Sequence, residues 1–201
     1  MLYLDGLNGN NRTFLGGGYY GRMSDANVSN IVDRLIQERK IKPLIVVCPD
    51  TSGIGAPEKY LLGDILSFVD ATFHTIQKRE SRAIAGHSIG GYVSLYMTIA
   101  HPEVFSIAGA FSSVNMQYLQ TQLPELLITY NQKSEPIRFW LYAGRNDPNA
   151  VPQPNRDFMK ALKESGFPAE YIEDDGDHES RVAQRVGEFI EYLSNHLKWQ
   201  S

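Results

Sequence analysis

Ser88 stands between glycines in Gly86-His87-Ser88-Ile89-Gly90, a G-x-S-x-G pattern. A serine hydroxyl is a poor nucleophile at neutral pH. It attacks a carbonyl only when a nearby base takes its proton and an acid orients that base. The chemistry in question is therefore acyl transfer through a covalent intermediate. The residues around Ser88 suit it. RAIAG, before the motif, reads as a strand, and YVSLYMTIA, after it, reads as a helix. That is the strand–turn–helix setting of a nucleophile elbow. A side chain at position 86 or 90 would collide with neighbouring backbone in so tight a turn, and Gly91 adds a third small residue where the helix packs close. The plainer reading is a serine in an ordinary βα turn. The choice rests on whether a base and an acid follow.

In an elbow of this kind the partners come in the chain order Ser, Asp or Glu, His. Five histidines compete. His74 and His196 fall within helix-like runs, where packing or surface roles are usual. His87 lies inside the elbow and does not easily reach back to its neighbour. His101 precedes Pro102 at a helix end, a capping position. His178, in EDDGDHESR, lies after the last strand candidate and before the last helix, where the base belongs. The acid should follow the strand between nucleophile and base. FWLYAGRNDP supplies Asp147, the only carboxylate between Phe139 and Ala150. Its other reading is a turn aspartate before Pro148. Asp174, Asp175 and Asp177 also compete, but they share the loop of His178. The acidic run lacks the D-x-[DN]-x-[DN]-G spacing of a calcium loop, so no metal is expected.

The oxyanion formed by attack needs backbone N–H donors. One comes from the residue after the nucleophile, Ile89, and the other from a loop after an early strand. LYLDGLNGN offers Leu7 or Asn8, with Gly6 and Gly9 letting the backbone turn inward. No GK[ST] follows these glycines, so a phosphate-binding loop is not expected.

Alternating strand-like and helix-like runs must position these residues. Strand candidates are Met1–Leu4, Leu44–Cys48, Arg82–Gly86, Ile107–Phe111, Phe139–Ala143 and Ala169–Ile172. They are short and nearly continuous in apolar residues, as strands covered on both faces are. Helix candidates are Ser29–Glu38, Tyr60–Gln77, Tyr92–Ala100, Asn155–Ser165 (stopped by Gly166) and Ser180–Leu197. This order predicts an α/β fold, with a mostly parallel sheet and helices on both faces. Residues 6–24, rich in Gly and Asn, and residues 112–136 fit neither pattern. Both follow strands, at the sheet end that carries ligand sites, and read as loops or small caps around a pocket. Tyr19 and Tyr20, with Phe14 and Arg22, either face an aromatic or sugar substrate or pack their loop. Met116 and the leucines of 112–136 either shape an acyl pocket or belong to the core.

The totals narrow the function classes. The 201 residues fit one domain, residues 1–201, with 42% hydrophobic and 21% charged residues, enough for a sizeable core. The net charge of −4 and the lack of a long basic cluster argue against a nucleic-acid partner. No apolar run is long enough to span a bilayer. The single cysteine, Cys48, permits no internal disulfide. That fits a cytoplasmic protein and equally a secreted one without disulfides. In an apolar strand, Cys48 reads as a packing residue.

Taken together, these segments resemble the esterase branch of the α/β-hydrolases. That branch includes esterase D (S-formylglutathione hydrolase), feruloyl esterases, enterochelin-type siderophore esterases and the antigen 85 mycolyltransferases. LYLDGLNG is similar to the family's first-loop motif and VVCPDTSG to the strand and loop that follow. AGHSIGGYVSLYMTIAHPEVFSIAGAFSS is similar to the elbow, helix and next strand. LYAGRNDP and GDHESRVAQRVGEFIEYL resemble the acid and histidine segments. The resemblance implies Ser88 as nucleophile, Asp147 as acid, His178 as base, and Leu7 and Ile89 as oxyanion donors. Asn8, Tyr19, Tyr20 and Met116 are candidate substrate-pocket residues from their place in loops at the strand ends, and the resemblance carries no specificity for them. It implies a small-molecule ester substrate and no cofactor. The likeness of LDGL to the antigen 85 form keeps an acyltransferase open beside a hydrolase. A catalytically silent binding module is the third reading, and the whole triad speaks against it. The family carries further strands before the LDG segment. The chain is therefore expected either to be trimmed at that sheet edge or to have its true start upstream. A trimmed sheet would leave an edge strand near Leu44–Cys48 open for pairing, and a homodimer is expected from it.

Overall fold

The structure is a computed structural model that describes residues 2–4, 27–50, 58–129, 136–149 and 151–199. Five short strands form its centre: β1 (Leu2–Leu4), β2 (Ala83–His87), β3 (Ile107–Phe111), β4 (Arg138–Gly144) and β5 (Ala169–Asp174). They pair in chain order, each parallel to the next. Parallel neighbours need a crossover, and helices supply it. The register sets Ala83 against Ile107, and Ile107 against Arg138. β2, β3 and β4 therefore start together, and β4 and β5 run two residues past the end of β3.

Every residue of β2 and β3 is buried, which is why both read as unbroken apolar runs. Their alternation divides the core. Ala83, Ala85, Ile107, Phe111, Trp140 and Tyr142 point to one face. There they meet Val28, Val32 and Leu35 of α1 (Val28–Gln37) and Val186, Phe189 and Ile190 of α6 (Val182–His196). Ala108, Ala110, Phe139 and Leu141 point to the other face. It is covered by α3 (Ile89–Ala100), α4 (Met116–Thr129) and α5 (Pro152–Glu164). The expected three-layer α/β arrangement is thus present. Local signals set the helix ends. Asn27 caps α1 by accepting from the Asn30 N–H at 3.1 Å. Pro152 opens α5, and Gly166, at φ 85°, follows its end.

Three expectations need correction. The run Tyr60–Gln77 is not one helix. A π-type turn, Lys59–Leu66, continues into the short α2 (Ser67–Thr72), and Phe73 is extended. Asp70 ends it by accepting from the Thr75 hydroxyl at 2.7 Å, a local bond that competes with the helix. His74 consequently lies outside any helix. Leu44–Cys48 is extended but forms only a single bridge, at Val47, among the described residues. Pro43 before it lacks an N–H to donate. The segment 112–136 is not simply a loop. Its residues 116–129 form α4, with Met116, Leu119 and Leu123 buried against α3 and α5. Among the described residues, no helix is long and apolar enough to cross a membrane.

Candidate active site

The strand ends bring distant residues into a row. Beyond the ladder, the Ser88 N–H donates to the Phe111 carbonyl at 2.9 Å. The Ser112 N–H donates to that of Tyr142 at 2.8 Å, and the Arg145 N–H to that of Asp174 at 2.7 Å. The loops leaving β2, β3, β4 and β5 therefore emerge side by side at the carboxyl end of the sheet. Ligand sites form at this end in open α/β sheets.

Ser88 occupies the turn between β2 and α3 with φ 55° and ψ −118°. An L-residue other than glycine enters this region only where its surroundings enforce it. The enforcement is visible. Its N–H is tied to Phe111, and its carbonyl accepts from Tyr92 at 3.2 Å and Val114 at 3.4 Å. The helix also starts close against β3's exit. A Cβ on Gly91 would lie 3.0 Å from the Ser113 Cβ and 3.1 Å from the Gly86 carbonyl oxygen. The sharp turn puts Ile89 at the first position of α3. N–H groups of a first helical turn have no partner within their helix and are ready to bind an oxyanion.

Asp147 follows β4 in a tight turn in which its N–H donates to the Gly144 carbonyl at 3.2 Å. Its side chain is fully buried. Oδ1 accepts from the Asn149 N–H at 2.9 Å, and Oδ2 lies 2.6 Å from His178 Nδ1. A carboxylate only accepts, so Nδ1 carries the proton and Nε2 is left as the basic nitrogen. The competing aspartates are engaged elsewhere. Asp174 binds Arg185, the Tyr142 hydroxyl and the Gly176 N–H. Asp175 pairs with Arg145 at 2.6 Å. Asp177 accepts from the N–H groups of Glu179 and Ser180. Among the described residues, Asp147 is the carboxylate that meets the His178 ring. Asn146 joins the two exit loops, its N–H donating to the Gly176 carbonyl and its side chain to that of Asp175.

Among the described residues, no hydrogen bond links Ser88 Oγ to the His178 ring. Such contacts commonly close only around a substrate. His87 packs its ring 4.7 Å from that of His178, tilted by 56°, with Nε2 2.8 Å from the His178 carbonyl. Chain order alone gives His87 no reach to Ser88 and no signal of another partner. Its true partner is 91 residues away, and only the strand order brings it near. His101 ends α3 and His196 donates to the Tyr192 carbonyl, both away from the row. Of the remaining expected site residues, Met116 is buried in the core cluster. Leu7, Asn8, Tyr19 and Tyr20 lie outside the described residues, as do Phe14 and Arg22.

Known proteins share this architecture. A fluorophosphonate-binding serine hydrolase of Staphylococcus aureus superposes with a TM-score of 0.76 at 19% identity, over 96% of this chain and 82% of its own. A ferulic acid esterase from Anaeromyces mucronatus, solved with ferulic acid, gives a TM-score of 0.69 at 18% identity, over 97% and 77%. These similarities establish the α/β-hydrolase fold. In sequence, the chain is 30% identical over 158 residues to an endo-1,4-beta-xylanase/feruloyl esterase of Xylanibacter ruminicola. That match takes in 73% of this chain but spans only 20% of the relative's length. A family profile described as Putative esterase matches residues 1–181, and the chain belongs to that family.

Proposed function

We propose that the chain hydrolyses carboxylic esters through an acyl-enzyme. The observation that carries this reading is the 2.6 Å bond from buried Asp147 to His178 Nδ1, set beside a serine held in a strained turn. Ser88 Oγ attacks the ester carbonyl while His178 Nε2 takes its proton. Asp147 keeps the imidazole in the required tautomer and stabilises the imidazolium that forms. The Ile89 N–H, with that of Leu7, receives the oxyanion. Collapse of the tetrahedral intermediate expels the alcohol, which takes the proton back from His178. Water, deprotonated by His178, then releases the acid and restores Ser88.

A series of p-nitrophenyl esters from acetyl to octanoyl tests this, with methyl ferulate added because relatives carry feruloyl esterase names. Wild type should turn over at least one ester. Ser88→Ala should lose about 10⁴-fold or more in kcat while keeping the fold. Equal activity in Ser88→Ala, or a folded wild type that hydrolyses nothing and takes up no fluorophosphonate, would overturn the proposal.

A further inference from the structure

The residue before the nucleophile has no part in the triad, yet its side chain is turned toward the base. His87 ends β2 and faces the α6 side of the sheet, 3% exposed, beneath the loop that carries His178. Its Nε2 sits 2.8 Å from the His178 carbonyl oxygen. A carbonyl only accepts, so Nε2 bears the proton and donates. The two rings are in contact, with centroids 4.7 Å apart.

An imidazole held only by its Nδ1–H can swing about that single bond. The Asp147 contact fixes one ring atom and leaves the backbone of the loop free to carry the ring with it. The bond from His87 fixes that backbone at the same residue, and its ring blocks one direction of side-chain rotation. We propose that His87 is a positioning residue for His178. It anchors the main chain and ring so that the Nε2 of the base stays aimed at Ser88. The idea rests on the triad reading above.

The donor has to be uncharged, because a cation here would oppose the imidazolium that forms during the reaction. The surroundings meet that requirement. Burial, and next the charge of His178, lower the His87 pKa to about 4, against weaker opposing pulls from the bond to the His178 carbonyl and then from Asp147. A lysine in this position would not have served.

Two substitutions separate the halves of the contact. His87→Phe keeps a ring but has no donor. His87→Gln keeps an N–H at the reach of Nε2 but has no ring. Steady-state kinetics on p-nitrophenyl acetate and downfield proton NMR of ¹⁵N-histidine-labelled protein are read together. The NMR signal reports the His178 Nδ1–H bonded to Asp147. In His87→Phe, kcat should fall about 10- to 100-fold, as a small misplacement of a catalytic group does, with KM within about threefold. The downfield resonance should broaden or vanish. His87→Gln should recover kcat to within about threefold of wild type and restore the resonance. A folded His87→Phe with kcat within twofold of wild type and the resonance intact would overturn the proposal. If His87→Phe does not fold, His87→Met, which also lacks a donor, replaces it under the same criteria. A wild type with the resonance but no ester hydrolysis would refute the hydrolase reading and leave the anchoring of His178 to be judged by NMR.

Discussion

At the scale of single residues, the candidate site stores conformational cost at Ser88 and His87. Ser88 at φ 55° costs about 1–3 kcal/mol of backbone strain, held in place by the bonds to Phe111, Tyr92 and Val114. His87 adds a second cost, which depends on pH. In the unfolded chain its pKa lies near 6.5, and in the folded protein burial lowers it to about 4. Between these values the unfolded state binds a proton that the folded state refuses. Stability therefore falls as pH drops from about 6.5 to about 4, by on the order of 3 kcal/mol, and the contribution levels off below that. Glutamine does not titrate. Urea midpoints of wild type and His87→Gln, measured at steps from pH 7 to pH 4, should diverge toward acid, with wild type losing more. Parallel profiles would mean that His87 titrates like a solvent histidine. The turn at Ser88 and the contact of Asp147 with His178 were legible in the sequence because their chain order and positions after strands carry information. His87 was not, since its contact depends on which strand exit lies beside which.

At the scale of elements, a tight seam lies between β3 and α6. Gly109 is the middle residue of β3, and a Cβ there would lie 2.5 Å from the Phe189 ring. That ring has nowhere to go, because it packs 5.7 Å from Phe111 edge-on and 5.6 Å from Trp140. Gly109→Ala should therefore destabilise the protein by about 1–3 kcal/mol through overpacking. Adding Phe189→Leu should return part of that loss, a coupling that a double-mutant cycle in urea measures. Additive effects would show that α6 does not sit on β3 as described. The same elements explain which parts of the fold could be read in advance. β2, β3 and β4 are buried on both faces, and continuous apolar runs announce such strands. α2 could not be bounded, because the apolar spacing of Tyr60–Gln77 continues past the point where Asp70 captures Thr75. α4 was hidden by Pro124 and by polar residues on its exposed side, among them Gln117, Gln120 and Thr121.

At the scale of the whole molecule, the parallel sheet gives the protein two unlike ends. All strands run the same way, so the exit loops that carry Ser88, Asp147 and His178 lie together at the carboxyl end. The amino ends surround something different, a largely apolar cavity of about 310 Å³. Leu44, Val47, Leu66, Val69, Ala83 and Phe105 line it, beside the ion pair of Asp70 and Arg82. This polarity was implicit in the alternation of strands and helices, whereas the cavity depends on the path of residues 43–47 and 69–76, which periodicity misassigned. The two ends should respond independently to mutation. Phe105 is fully buried, one residue before Ser106 leads into β3, at the end away from Ser88. Phe105→Leu removes ring atoms that line this cavity and enlarges it, so collapse offsets little of the loss. A cost of about 1–2 kcal/mol follows, which lowers Tm by roughly 3–6 °C for a chain of this size. Because β2 and β3 are rigid and pinned by their neighbours, the shift should not reach the elbow, and kcat/KM for p-nitrophenyl acetate at 25 °C should stay within twofold of wild type. A Phe105→Leu protein that is folded at 25 °C yet loses tenfold in kcat/KM would show that the cavity and the strained turn at Ser88 are coupled along β2.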